Sequence, residues 1–100
     1  MIRATTPTHI FTLPFEANLL KTVLISYGQY GNEKVKKETK ECTLSGKTIT
    51  VKLTQEETAK FAGGIPVDIQ LRAVTTSGDV VATKYYTVEC DRVMNDEVLT

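Results

Sequence analysis

Apolar and polar residues alternate with a period of two along most of the chain, the spacing of strands with one buried face. The clearest case is PVDIQLRAV, residues 66 to 74. There Val67, Ile69, Leu71 and Ala73 share one face, and Asp68, Gln70 and Arg72 share the other. The segment KTITVKL (47 to 53) repeats the pattern, with Ile49, Val51 and Leu53 opposite Thr48, Thr50 and Lys52. LLKTVLISY (19 to 27) is apolar on both faces, as a central strand covered on both sides would be, or an edge overlaid by a terminus. DVVATKYYTVEC (79 to 90) places Val80, Ala82, Tyr86, Val88 and Cys90 on one face together with Lys84, so a bulge or exposed strand end is expected near Lys84.

Two serine-glycine pairs punctuate these runs. Ser45 with Gly46, and Ser77 with Gly78, each offer a glycine free to take positive φ in a tight turn. They predict hairpins over residues 34 to 53 and 66 to 89. The charged segment GNEKVKKETKEC (31 to 42) admits a helix, with Glu33 and Lys37 at i and i+4, but it runs directly into a turn and a strand. It reads better as an exposed or edge strand whose lysines discourage pairing with another chain. A charged docking patch is the functional alternative.

One stretch breaks the alternation. In LTQEETAKFAGG (53 to 64), Thr54 and Glu57 have the spacing of a capping box, and Gln55 and Glu56 are helix-compatible. Gly63 and Gly64 stop the helix, and Pro66 pushes Ile65 toward extended geometry. The expectation is a short helix over about residues 54–61, capped by Thr54 and Glu57 and anchored by Phe61, carrying the chain between two sheets. This structural role is preferred to one for Glu56 and Glu57 as catalytic acids. The predicted fold class is all-β, an Ig-like antiparallel β-sandwich with one crossover helix.

Composition adds limits. One hundred residues make a single domain, residues 1–100, with flexible or partner-binding ends near 1–8 and 96–100. Twelve basic and twelve acidic residues cancel, so no net field draws in nucleic acid or an anionic membrane. Cys42 and Cys90 are read as reduced, partly buried thiols. MIRATTPTHI holds no apolar run of signal-peptide length, and no transmembrane segment is expected.

No catalytic, cofactor or metal site is expected. His9, the only histidine, falls in the first strand THIFTL without a cysteine or carboxylate at metal-ligand spacing. Ser45 and Ser77 lie outside any nucleophile-elbow pattern. Gly63 and Gly64 follow a helix, whereas a phosphate cradle precedes one. Asp68, Asp79, Asp91 and Asp96 are scattered over strands and turns. Tyr27, Tyr30, Tyr85 and Tyr86 could form an aromatic sugar-binding platform, or cap a sheet edge. The chain is therefore expected not to be an enzyme and to have no small-molecule substrate.

With these elements in place, the chain resembles a family of small phage and prophage virion proteins. They share the β-sandwich module found at the N-terminus of siphophage upper baseplate proteins. The likeness runs from about Val23 to Leu99 and rests on VLISYGQ (23 to 29), ITVKLTQEETAKF (49 to 61), PVDIQLRAVTTSGDVVATKYYTVE (66 to 89) and the closing VL (98 to 99). It implies a non-enzymatic structural role in tail, baseplate or head-to-tail assembly, in a virion put together in the bacterial host cytoplasm. The implied partners are the chain itself, as a homo-oligomer or ring, and other virion proteins. Ile10, Phe11, Val98 and Leu99 are the candidate interface, since the two ends carry apolar residues without a strong fold assignment. A carbohydrate- or protein-binding accessory module, using Tyr30, Tyr85 and Tyr86, is the alternative.

Overall fold

A computed structural model describes residues 1–83, 86–95 and 97–99. Lys84, Tyr85 and Asp96, which figure in the expectations above, lie outside them. The chain forms an antiparallel β-sandwich. One sheet has the order β1-β5-β4: β1 (Thr8–Thr12), β5 (Thr48–Lys52) and β4 (Cys42–Ser45). The other has the order β3-β2-β6-β7: β3 (Asn32–Glu38), β2 (Leu20–Gln29), β6 (Val67–Thr75) and β7 (Val80–Ala82). β8 (Tyr86–Val88) also pairs with β6.

The alternation sets which faces meet. Val67, Ile69, Leu71 and Ala73 of β6, Ile49 and Val51 of β5, Leu53 just beyond it, and Val23, Ile25 and Tyr27 of β2 are all buried between the sheets. A one-residue slip in any of these strands would turn its whole apolar set to solvent, so burial fixes the register. Arg72 is exposed and Asp68 half-buried, both on the outer face as the pattern predicts. β2 is central, but its outer face is not covered. Leu24, Ser26 and Gly28 stay half-exposed there, so the apolar content of 19 to 27 reflects one packed face and a partly exposed leucine.

The connections correct one expectation. β3 does not pair with β5; it pairs with β2, from Leu24↔Glu38 to Gln29↔Asn32. The hairpin after the charged segment is therefore only β4–β5, turning at Gly46 with φ 53°. A further turn joins β2 to β3 at Tyr30 and Gly31, with φ of 54° and 75°. Two consecutive positive φ values give the turn whose twist matches the strands it connects. The chain then crosses between sheets through a 3-10 turn at Thr39–Glu41, where the Thr39 hydroxyl accepts from the Val23 N–H at 2.8 Å.

β6 does pair back onto the segment after Gly78, but in two pieces. Arg72 stands opposite Ala82 and Ile69 opposite Tyr86, so four residue steps on one side span three on the other. At the break the Thr83 N–H donates to the Leu71 carbonyl, and the Leu71 N–H donates to the Thr83 hydroxyl at 3.0 Å. The hydroxyl thus takes the place of a ladder carbonyl. Val80 and Val81 are exposed, contrary to the simple alternation, and β7 is a three-residue strand at the sheet edge.

The helix is shorter than predicted. α1 covers Gln55–Thr58, a single turn, and links β5 in one sheet to β6 in the other. Both bonds of the capping box form: the Glu57 N–H donates to Thr54 Oγ1 at 3.1 Å, and the Thr54 N–H donates to Glu57 Oε1 at 2.9 Å. Phe61 is buried beneath the crossover, with its ring centroid 6.3 Å from that of Tyr27. Gln29, fully buried, clamps the loop that follows. Its Nε2 donates to the carbonyls of Ala62 and Ile65 at 2.9 and 3.0 Å, and its Oε1 accepts from the Ala62 N–H at 2.7 Å.

Candidate functional site

Among the described residues, β1 is the edge strand that combines length with a lack of charge. Its ladder to β5 is continued at both ends by Leu53 N–H to the Pro7 carbonyl and Leu13 N–H to the Lys47 carbonyl. With the register His9↔Val51 and Phe11↔Ile49, the odd-numbered residues direct their backbone groups at β5. Antiparallel geometry then directs the N–H and C=O of Thr8, Ile10 and Thr12 away from the sheet. No strand occupies that side of β1 among the described residues. Instead a groove of about 460 Å³ runs along the strand from Thr8 to Thr12, with Ile69, Tyr86 and Val88 on its far side.

Side chains on β1 divide between two environments. Ile10 is 64% exposed and is flanked on the outer face by exposed Thr8 and Thr12. His9 and Phe11 turn inward. Phe11 packs on the core and meets Tyr86 with ring centroids 6.2 Å apart. His9 Nδ1 lies 2.8 Å from the Tyr27 hydroxyl. Burial, and then the N-terminal ammonium, lower the His9 pKa and keep the ring neutral near pH 7. Neutral His9 can therefore accept a hydrogen bond from the Tyr27 hydroxyl at Nδ1. Burial, then Cys42 and Glu57, raise the Tyr27 pKa, so the phenol stays protonated.

Of the candidate interface residues, Ile10 is exposed and Phe11 is half-buried against the core. Val98 and Leu99 are exposed at the other end of the chain. Leu99 is held at α1, where the Gln55 side chain brackets its backbone: Nε2 donates to the Leu99 carbonyl at 2.7 Å and Oε1 accepts its N–H at 2.8 Å. The two candidate pairs thus hang on different elements. The first residues of the chain are tied down as well. Ile2 bridges Asp91, Arg3 donates to the carbonyls of Ala59 and Phe61, and Thr5 exchanges bonds with the Thr58 hydroxyl.

The described tyrosines, Tyr27, Tyr30 and Tyr86, do not make one platform. Tyr27 is in the core, Tyr86 lies against Phe11, and Tyr30 is 78% exposed in the β2–β3 turn. Beside that turn, on the outer face of the larger sheet, is a polar trough of about 200 Å³ lined by Ser26, Gly28, Asn32, Glu33, Asp68 and Gln70. Gly28 opens it, and a Cβ there would come within 2.7 Å of the Asn32 carbonyl oxygen. The bulge in β3 at this point accounts for the glycine by itself.

Sequence reasoning missed a buried ion pair. Lys37 faces inward and is only 5% exposed, contrary to its reading as an edge guard. Its Nζ lies 2.7 Å from Glu57 Oε1 and 3.5 Å from Glu41 Oε2. The helix cap thus doubles as the counter-ion of a strand lysine in the opposite sheet. The available signal was the shared face of Val35 and Lys37 in β3. The thiols of Cys42 and Cys90 are free, as expected, and burial raises the pKa of both. No group of metal-ligating side chains occurs among the described residues, and no helix there is long and apolar enough to cross a membrane. The chain matches no protein-family model, and no curated protein or solved structure is significantly similar to it.

Proposed function

We propose that this chain is a non-enzymatic assembly protein of a phage or prophage virion, acting through protein–protein contacts at its strand edge and its C-terminal stretch. Its sequence resemblance to small virion proteins supplies the class, and the uncharged, unpaired edge of β1 carries the reading structurally. Edge strands that must remain solitary are shortened, charged or covered. β3 exposes Lys34 and Lys36, β4 is four residues bounded by Glu41, and β7 and β8 are three residues each. β1 has none of these protections, and Ile10 at its centre adds apolar surface. A strand left in this state is suited to accept another.

Deleting the gene from the producing phage or prophage is the functional test. The expected result is a loss of complete tailed particles, seen by electron microscopy and restored by the gene supplied in trans. Normal yields of infectious particles would exclude an essential structural role.

A carbohydrate-binding accessory module remains the second reading, favoured by the exposed Tyr30 beside the polar trough. Retention on bacterial cell-wall glycan that Tyr30→Ala abolishes is the result that distinguishes it.

A further inference from the structure

We infer that β1 pairs with β1 of a second copy, antiparallel and about a two-fold axis at Ile10, so that the three-stranded sheets of two protomers join edge to edge. This rests on the assembly reading above and names its first partner.

The choice of a second copy comes from the strand itself. Thr8, Ile10 and Thr12 direct backbone groups and side chains away from the protomer, and this Thr-Ile-Thr order is the same in both directions. An antiparallel copy therefore sets Ile10 against the partner's Ile10, and Thr8 against the partner's Thr12. All the outward N–H and C=O groups of these residues find partners in that register, since each opposed pair exchanges two hydrogen bonds. The two isoleucines pack together on the axis, with threonine pairs on either side.

Charge points the same way. No residue from Thr8 to Thr12 is charged. On β5, Thr50 stands beside Ile10, Thr48 beside Thr12 and Lys52 beside Thr8, and the two-fold places the partner's Thr12 and the partner's Thr48, not a second lysine, in the row of Lys52. A copy of β3 laid on itself would instead bring Lys34 and Lys36 toward their counterparts, which repel. The groove beside β1 leaves the edge open along all five residues. A five-residue edge buries far less than the ~1,200 Å² of a stable standard interface. The isolated pair is accordingly weak, and neighbouring contacts in an assembly must hold it.

Register-specific cross-linking tests this without requiring a stable dimer. In a Cys42→Ser background, which removes the half-exposed native thiol, single cysteines are placed at the exposed positions 8, 10 and 12 of the full chain. Opposed residues of a hydrogen-bonded antiparallel pair have Cα atoms about 5.5 Å apart, within the range a disulfide spans. At millimolar protein under mild oxidation, Ile10→Cys should become a covalent dimer many times faster than Thr8→Cys or Thr12→Cys alone. A mixture of Thr8→Cys and Thr12→Cys should recover the fast rate. Ile10→Pro should keep the protomer folded, since it removes only an outward N–H, and should weaken the association. Equal rates at all three positions, or no cross-link at position 10 in a folded protein, would overturn the pairing. Where gene deletion still abolishes particles, the assembly reading survives that result; where particles form normally without the gene, an essential structural role is excluded whatever the cross-link does.

Discussion

Phe61→Ala is expected to lower the unfolding free energy by about 3–5 kcal/mol, the largest effect of any single substitution considered for this chain. The ring is 1% exposed and lies between the crossover and β2, against Tyr27. The walls around it belong to two hydrogen-bonded sheets and to a loop that Gln29 clamps, so they can close only partly over the void. Much of a small domain's total stability, about 5–15 kcal/mol, would be lost. Thr54→Ala sets the scale for comparison. It removes the acceptor of the Glu57 N–H and should cost about 1 kcal/mol. Urea unfolding of both variants measures the order through the midpoint, provided the slope is unchanged. A larger loss at Thr54 than at Phe61 would mean that the helix is not docked through the ring.

The second large effect should come from Glu57→Ala, at about 3 kcal/mol. The substitution removes half of the capping box and strips a buried lysine of its 2.7 Å counter-ion. Glu41, at 3.5 Å, compensates in part, which keeps the expected loss at the low end for a broken buried pair. Lys37→Met should be close to neutral, because an apolar side chain needs no counter-ion, and in the double variant most of the Glu57→Ala loss should be recovered. If Lys37→Met costs as much as Glu57→Ala, the pair itself is the stabilising unit.

The pH dependence carries a definite sign. Burial alone would raise the Glu57 pKa, but the Lys37 hydrogen bond, the Thr54 N–H and the Lys37 charge outweigh it and hold the pKa below the ordinary glutamate value. Glu57 therefore binds fewer protons folded than unfolded. Its contribution is complete above the ordinary glutamate range and disappears as the pH falls through the folded value. Burial would likewise lower the Lys37 pKa, but Glu57 and Glu41 raise it, so its contribution is lost only as the pH rises beyond the ordinary lysine range. The gap between the parent protein and Glu57→Ala should accordingly narrow in acid and stay constant around neutrality.

Local features of this fold can be read from the sequence, and non-local ones cannot. The faces of β5 and β6 follow from alternation, because each strand has one side against the core and one toward solvent. The cap at Thr54 and Glu57 is equally local, and the burial of Phe61 follows from its being the one large apolar residue in the turn. Sheet membership is different. The residues of β3 carry no mark that says β2 is their partner and β5 is not, and the turn at Tyr30 and Gly31 lacks the Asn-Gly or Asp-Gly pair that would have announced it. Once β3 joins β2, Lys37 must point inward beside Val35, and its counter-ions come from elements 4 and 20 residues further along the chain. The candidate edge was partly legible for the same reason. The apolar character of Ile10 and Phe11 is visible in THIFT, but which of them faces solvent depends on the pairing of β1 with β5.

If this sandwich is a building block of a particle, protein mass spectrometry of purified phage particles from the producing strain will find it there. The chain is expected to co-purify with tail or head-to-tail proteins through density-gradient banding, in amounts comparable to theirs. Abundant chain in the lysate with none in the banded particles would contradict it.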